Sequence, residues 1–263
     1  MESVFGMYRQ GDCVALPFLR PLVFLALSIF LMSTAANAAA TSNEVGAQQM
    51  EKDRSAPNES GNANEVLQFA GVRSGSVVLD LVPHRLSAAH SFADKAGTSG
   101  HVYVFVPSEA DAYLKAKYPN GLPTSDPAHA NISYIHTSLA KVVAPQYLDV
   151  IWVGGSYHDF HNKFFALKNI YAVNHAAFEL LKPGGVFVVM DNAAARGSGL
   201  RDTETLHRID EEQVKREVLA AGFEFAGESR VLRSAADDHT SQVSDADVGA
   251  ETDVFLLKFR KPD

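Results

Sequence analysis

The stretch Leu181–Met190 reads LKPGGVFVVM and decides the fold, because it ends a helix and begins a strand. Upstream, Ile170–Leu181 repeats apolar residues with a period of about 3.6, which predicts a helix. The proline and the two glycines then end that helix, since glycine accepts a left-handed C-terminal conformation and proline resists further helix. The apolar, β-branched run Val186–Met190 predicts a buried strand. A helix that leads directly into a buried strand is typical of an α/β protein.

A polar segment, Asp191–Asp210, follows that strand. It reads DNAAARGSGLRDTETLHRID and is too polar to form part of a core. Open α/β sheets bind their ligands beyond the carboxyl ends of their strands. Loops at such places carry function because core packing does not constrain them. The sequence therefore predicts a ligand site that includes this segment.

Strand and helix patterns alternate along most of the chain. The predicted strands are Val77–Leu81, His101–Val106, Ile132–His136, Tyr147–Val153, a fifth that ends at Met190, Phe223–Leu232 and Val254–Phe259. The predicted helices between them are Leu86–Ala96, Glu109–Tyr118, Ile170–Leu181 and Gln213–Ala221. This alternation predicts one α/β domain with a Rossmann-like, mostly parallel sheet of seven strands, covered on both faces. The last two strands are joined without a helix, which predicts an antiparallel edge hairpin with a mobile acidic insert at Ser234–Glu251.

The amino-terminal segment has the pattern of a secretory signal peptide. An apolar run, Leu22–Met32, is followed by the small-residue sequence Ala36-Asn37-Ala38, which predicts cleavage after Ala38. A membrane anchor is the alternative, but the run is shorter than the ~20 residues that span a bilayer. We therefore predict a signal peptide at 1–38, a flexible leader at 39–62, a domain at 63–263 and a periplasmic or secreted protein without a stable membrane span.

Charge and cysteine content exclude several classes of function. The net charge is -8, and no cluster of lysine or arginine stands out, so nucleic acid is not a predicted partner. A small-molecule substrate is expected instead. The single cysteine, Cys13, lies in the predicted signal peptide. The mature chain would therefore contain no disulfide, thiolate metal ligand or cysteine nucleophile.

Three segments at the ends of predicted strands carry a family resemblance. They are Asp80–Pro83 (DLVP), Gly155–Asp159 (GSYHD) and Gly197–Asp210 (GSGLRDTETLHRID). Together with LKPGG at Leu181–Gly185 and LKFRKP at Leu257–Pro262, they resemble class I S-adenosylmethionine-dependent methyltransferases. More narrowly, the chain resembles a bacterial family of predicted, mostly exported methyltransferases. The resemblance covers essentially the whole predicted domain and implies a methyltransferase sheet with S-adenosylmethionine as cofactor.

The resemblance also implies a set of cofactor contacts. The implied residues lie after strands one, four and five: Asp80, Pro83, His84, Gly155 and Asp191. The sequence departs from the family in the first of these loops, where a run of glycines is replaced by His84–Ser87. A remodelled working pocket, a decayed cofactor site and an anion site formed by His84 and Arg85 remain open as alternatives. Asn192 also stands where the family tends to carry histidine.

The turn after the fourth strand supplies candidate catalytic residues. Tyr157, His158 and Asp159 are expected to project over the rim of the sheet. His158 or His161 is the candidate general base, with Asp159 orienting it. A purely structural turn held by His158 is the alternative. Neighbouring residues on a turn rarely converge on one ion, so we predict no metal.

The Gly197–Asp210 block supplies the remaining candidates. His207 is a candidate acid or base, and Arg201 and Arg208 are candidate clamps for a substrate carboxylate or phosphate. The alternative is a solvated loop held by Asp–Arg pairs. No serine stands in a nucleophile elbow, so a hydrolase triad is unsupported.

Two functions compete at this level. The first is an S-adenosylmethionine-dependent methyltransferase that acts on a small or medium substrate. The second is a non-catalytic ligand-binding protein on a degenerate methyltransferase scaffold, because fold does not imply activity.

Overall fold

A computed structural model of the chain describes residues 62–83, 87–111, 125–165, 170–243 and 252–263. Within them, seven strands form one sheet in the order β3-β2-β1-β4-β5-β7-β6. The strands are β1 Val77–Leu81, β2 His101–Pro107, β3 Ile132–Thr137, β4 Leu148–Gly154, β5 Leu181–Asn192, β6 Glu224–Ser229 and β7 Val254–Arg260. The predicted seven-stranded α/β sheet is confirmed.

Four α-helices and several short 3-10 turns connect the strands in the described residues. The helices are α1 Ala63–Ala70, α2 Ser87–Ala96, α3 Ile170–Leu180 and α4 Glu211–Ala220. The 3-10 turns are Ser108–Ala110, Leu139–Lys141, His158–His161 and Lys163–Phe165. None of the described helices is long and apolar enough to cross a membrane. The predicted signal peptide and leader lie outside the described residues and stay predictions.

The order and direction of the strands set where a ligand crevice is expected, beyond the carboxyl ends of β1 and β4. β1 to β5 pair in parallel, and β7 runs antiparallel to both β5 and β6. From β1 the chain proceeds outward through β2 and β3, and then returns to β4 on the other side of β1. The order therefore reverses between β1 and β4, and this reversal is where open α/β sheets bind ligands.

Both faces of the sheet are covered, which explains the continuous apolar strands. On one face, Val173 and Ala177 of α3 and Val214 and Val218 of α4 belong to a buried cluster with strand residues. On the other face, Ala70 of α1 and four residues of α2 pack against the sheet. The α2 residues are Ala89, Phe92, Ala93 and Ala96. The helix layers hold the carboxyl ends of β1, β4 and β5 in fixed positions.

Three predicted segments differ from the structure. The predicted turn Lys182–Gly185 lies within β5, which begins at Leu181 directly after α3 ends at Leu180. The predicted helix Glu109–Tyr118 begins as the 3-10 turn Ser108–Ala110, and residues 112–124 lie outside the described residues. The described part of the predicted mobile insert is packed rather than loose. Val243 is buried, and its backbone N–H donates to the Leu206 carbonyl at 3.0 Å. The sequence missed this packing because the ion pairs that hold the segment connect residues far apart in the chain.

Candidate active site

The first loop of the crevice leaves β1 through a strained residue. Val82 has φ +57°, a left-handed conformation that a β-branched residue rarely adopts. Its N–H donates to the Phe105 carbonyl at 3.0 Å, and its own carbonyl accepts the Ser156 hydroxyl at 2.6 Å. These two bonds hold the turn without a glycine at Val82. Ser156 therefore ties the loop after β1 to the loop after β4, across the reversal in strand order.

The predicted cofactor residues of this first loop have different surroundings. Asp80 is buried in the penultimate position of β1, and only 1% of its surface is exposed. Pro83 is partly exposed at the mouth of the loop. His84 lies outside the described residues, so its predicted role stays a prediction. A ligand in the crevice could contact Pro83 directly, whereas Asp80 would act from beneath the loop.

The second loop turns sharply off β4 at a glycine. Gly155 has φ +74°, where a side chain would be strained, and its N–H donates to the Met190 carbonyl at 2.8 Å. The chain then forms the 3-10 turn His158–His161. Asp159 is partly exposed on this turn, whereas His158 is buried.

His158 is held between two carboxylates. Its backbone N–H donates to Asp191 Oδ2 at 2.8 Å, and its Nδ1 lies 2.9 Å from Asp191 Oδ1. Its Nε2 lies 3.2 Å from Asp159 Oδ1. Both ring nitrogens are therefore engaged by carboxylate oxygens, an arrangement that favours the doubly protonated ring.

The charge of this cluster follows from its surroundings. Burial lowers the pKa of His158, but the charge of Asp191 and the hydrogen bonds of Asp159 and Asp191 outweigh it and raise the pKa to about 10. The ring is consequently an imidazolium ion at neutral pH. The expectation that His158 is a general base does not fit this environment, because both nitrogens already carry protons.

His207 completes the wall of the crevice above β5. It has φ +54°, and its ring packs edge-on against His158 with centroids 5.5 Å apart. The Asn192 amide donates to the His207 carbonyl at 3.1 Å, which fixes this strained residue from the end of β5. Backbone strain of this kind costs about 1–3 kcal/mol and is concentrated at functional sites.

One potential ligand atom from each of His158, Asp159 and His207 lies within 4.8 Å of the others. Binding of an ion by His158 Nε2 would require loss of the proton that this nitrogen directs at Asp159. The prediction that no metal binds at this turn stays a prediction.

Tyr157 does not project over the rim as expected. It is fully buried, its hydroxyl donates to Glu217 Oε2 at 3.1 Å and accepts from the Asn174 amide at 2.8 Å. Burial, together with the charge of Glu217, raises its pKa well above the ordinary value. The inward direction follows from the 3-10 turn, which points Tyr157 and Phe160 into the same core. Tyr157 therefore supports the turn from below.

Arg208 is not available to clamp a substrate anion in this structure. Its guanidinium donates to both oxygens of Asp237 at 2.8 and 3.1 Å, and to the carbonyls of Ala193 and Ser241 at 2.9 Å each. The Arg208 and Asp237 side chains are only 3% and 6% exposed. Arg208 thus fastens the segment before β7 to the end of β5.

Arg201 is exposed and paired with its neighbour. Its Nε and one terminal nitrogen donate to the two oxygens of Asp202 at 2.9 and 2.8 Å. This matches the alternative of a solvated loop held by an Asp–Arg pair. Arg201 remains the more accessible of the two predicted substrate residues.

The Gly-Ser-Gly block is organised by Asp210. Its carboxylate accepts the N–H groups of Gly197 and Gly199 at 2.9 and 3.2 Å. The same side chain caps α4 by accepting the Glu212 N–H at 3.1 Å. Because both glycines have positive φ, this loop pattern is explained by architecture rather than by chemistry.

The structure adds three residues that the sequence did not single out as functional. Ser156 bridges the two loops, Asn192 fixes His207, and Glu217 receives Tyr157 and, at 3.1 Å, His161 Nε2. Ser156 and Asn192 each adjoin a residue predicted for the site. This adjacency is the sequence feature that could have identified them. Glu217 lies on α4, and no local pattern links it to the turn after β4.

The sequence and the fold were compared with those of known proteins. The sequence matches no family model and no curated protein. Among solved structures, the chain is similar to a SAM-dependent methyltransferase from Aquifex aeolicus, with 16% identity over 81% of this chain and 97% of that chain, at a TM-score of 0.55. A protein of Bacillus halodurans C-125 proposed to be a methyltransferase matches at 17% identity over 77% and 100% of the two chains, with a TM-score of 0.50.

The same fold occurs in a protein with a different named reaction. The [4+2]-cyclase SpnF matches at 17% identity over 76% of this chain and 79% of its own, with a TM-score of 0.50. At such identities the likeness concerns the backbone. The chain therefore has the Rossmann-like, seven-stranded fold of these proteins, which is the fold that the sequence predicts.

Proposed function

We propose that the chain binds S-adenosylmethionine in the crevice between β1 and β4 and transfers its methyl group to a small or medium substrate. The observation that carries this proposal is the acidic cluster at the crevice, where Asp159 and Asp191 outnumber the single imidazolium of His158. An excess of negative charge favours a cationic ligand, and the sulfonium of S-adenosylmethionine is a cation.

Two residues at the crevice are accessible to such a ligand. The backbone of Gly155 and the ring of Pro83 are partly exposed where the two loops meet. The Ser156 bond to the Val82 carbonyl keeps those loops in register without the glycine run. We assign the cofactor to these surfaces, with Asp159 facing its positive charge.

The chemistry then requires alignment and proton removal. S-adenosylmethionine supplies an electrophilic methyl group, and alignment of the substrate nucleophile with that group provides most of the acceleration. His158 holds Asp159 and Asp191 in place through both ring nitrogens. His207 and Asp159 are both partly exposed at the crevice, so we assign them the acceptance of the substrate proton.

A non-catalytic ligand-binding protein is the second candidate. The fold alone does not decide between the two candidates, because the fold of a protein does not imply its activity. The glycine-free sequence of His84–Ser87 supports the second candidate. The two candidates differ in turnover rather than in where the ligand binds.

Calorimetric titration tests the proposed ligand. Purified protein is expected to bind both S-adenosylmethionine and S-adenosylhomocysteine. Asp159→Asn is expected to lower the affinity for S-adenosylmethionine by about tenfold and the affinity for S-adenosylhomocysteine much less. The difference arises because only S-adenosylmethionine carries the sulfonium charge. Asp263→Asn is the matched control, since it removes one negative charge from the exposed carboxyl terminus.

The outcomes separate the candidates. Absence of binding by folded protein would contradict the proposed cofactor. Equal weakening of both ligands by Asp159→Asn would contradict the electrostatic role of this carboxylate. Binding without methyl transfer in a substrate screen would favour the ligand-binding protein.

A further inference from the structure

Four ligand-type side chains lie close together between α2 and the turn that precedes β3. His90 and Asp94 lie one helical turn apart on α2, and Asp126 and His129 lie three residues apart in the turn. His90 and Asp126 are buried, with 6% and 5% of their surface exposed. In sequence the set reads His-x-x-x-Asp followed by Asp-x-x-His, a spacing that places each pair on one side of its element.

The potential ligand atoms of this cluster lie close together. His90 Nε2 lies 2.6 Å from Asp126 Oδ2, and His129 Nδ1 lies 3.4 Å from Asp126 Oδ1. The two imidazole rings are stacked at 4.8 Å with an interplanar angle of 14°. One ligand atom from each of these three residues lies within 4.8 Å of the others.

The surroundings of the three side chains orient them. Asp94 Oδ1 lies 2.9 Å from His129 Nε2, which turns His129 Nδ1 toward Asp126. Asp126 Oδ1 accepts the backbone N–H groups of Ala128 and His129 at 2.8 and 2.9 Å. A carboxylate on the far nitrogen of a histidine is the usual outer partner of a metal-bound imidazole.

We propose that His90 Nε2, His129 Nδ1 and a carboxylate oxygen of Asp126 bind a divalent transition-metal ion of the zinc class. Neutral imidazoles and a carboxylate suit Zn²⁺, which takes such ligands at about 2.0–2.2 Å. The His90–Asp126 contact must widen slightly, and the proton that it holds passes to solvent as the ion enters. Three protein ligands leave one coordination position for water.

The ion would fasten α2 to the turn before β3. The metal-free alternative is a buried His–Asp hydrogen bond that performs the same task more weakly. The two differ in one measurable property, because only the first gives a stoichiometric, saturable affinity for a metal ion. The proposal is independent of methyl transfer, since its residues take no part in the proposed reaction.

Zinc titration of chelator-treated full-length protein tests the site, with binding isotherms and the Zn²⁺-induced shift of Tm as readouts. Wild-type protein is expected to bind Zn²⁺ and to gain Tm. Asp94→Asn, whose side chain is 75% exposed and need not disturb folding, is expected to raise Kd by about 10–100-fold. His129→Gln is expected to abolish that binding event.

His207→Gln is the matched control, because it alters the other cluster of potential ligands, in the crevice. It is expected to leave the Kd of this event unchanged. No Zn²⁺ binding by folded wild-type protein would overturn the proposal. The proposal would also be overturned if both Asp94→Asn and His129→Gln bound Zn²⁺ with the wild-type affinity. Loss of Zn²⁺ binding in His207→Gln alone would overturn it as well.

Discussion

Arg208→Met is expected to lower the free energy of unfolding by about 3–5 kcal/mol, because it leaves the buried carboxylate of Asp237 without its cation. The pair is almost fully removed from solvent, and the guanidinium also donates to two backbone carbonyls. Methionine retains much of the volume of arginine but none of its donors. Chemical denaturation of wild type and variant, followed by circular dichroism, measures the difference.

Arg201→Met is the matched control. Arg201 forms a similar two-point contact with Asp202, but its side chain is 68% exposed. Solvent screens such pairs, so no measurable loss of stability is expected. If Arg208→Met unfolds at nearly the same denaturant concentration as wild type, the structural role of this ion pair is contradicted.

His158→Gln is expected to remove a pH dependence that amounts to several kcal/mol in the wild type. The pKa of His158 is about 10 in the folded chain, above the ordinary value of 6.5. The stabilisation from its protonated form is therefore complete below pH of about 6.5 and is lost as pH rises through about 10. Each pH unit between those values is worth about 1.4 kcal/mol.

The measurement is the free energy of unfolding of both proteins from pH 6 to pH 10.5. The difference between the two curves isolates His158, since the other titrating groups are common to both. His101→Gln is the control, because burial lowers the pKa of His101. Above neutral pH, the free energy of unfolding of this variant should therefore change with pH in parallel with that of the wild type. Parallel curves for wild type and His158→Gln would contradict the clamped imidazolium.

The fold was predictable because its signals are local. The run Val186–Met190 is apolar and lies in β5, and the predicted helix at Ile170–Leu181 ends at Leu180, before the proline and glycines. The position of β7 between β5 and β6 follows from long-range pairing. A hairpin pattern alone does not specify which of its two strands lies at the edge.

The proximity of the three candidate loops was predictable, but the roles of their residues were less so. The loops after β1, β4 and β5 meet at the reversal in strand order, as the predicted alternation requires. The roles depended on side-chain direction, which no local pattern fixes. Tyr157 and His158 are adjacent, yet one supports the core and the other forms an ion cluster with Asp191, 33 residues away.

Arg208 shows the same limit for charged residues. Its sequence neighbourhood is polar, which favours an exposed, substrate-facing side chain. The residue that determines its role, Asp237, lies 29 positions later, in a segment that looked like a solvated insert. The polar composition therefore predicted an exposed Arg208, whereas its pairing with the distant Asp237 buries it.

Amide hydrogen exchange with saturating S-adenosylhomocysteine tests the central claim most directly, because it reports where the ligand binds as well as whether it binds. We expect slower exchange in peptides that contain Val82, Gly155–Asp159 and Asp191–Asn192, where the loops meet at the crevice. Peptides from β6, at the far edge of the sheet, should exchange unchanged. Unchanged exchange throughout the folded protein, or protection confined to segments away from the crevice, would contradict the account.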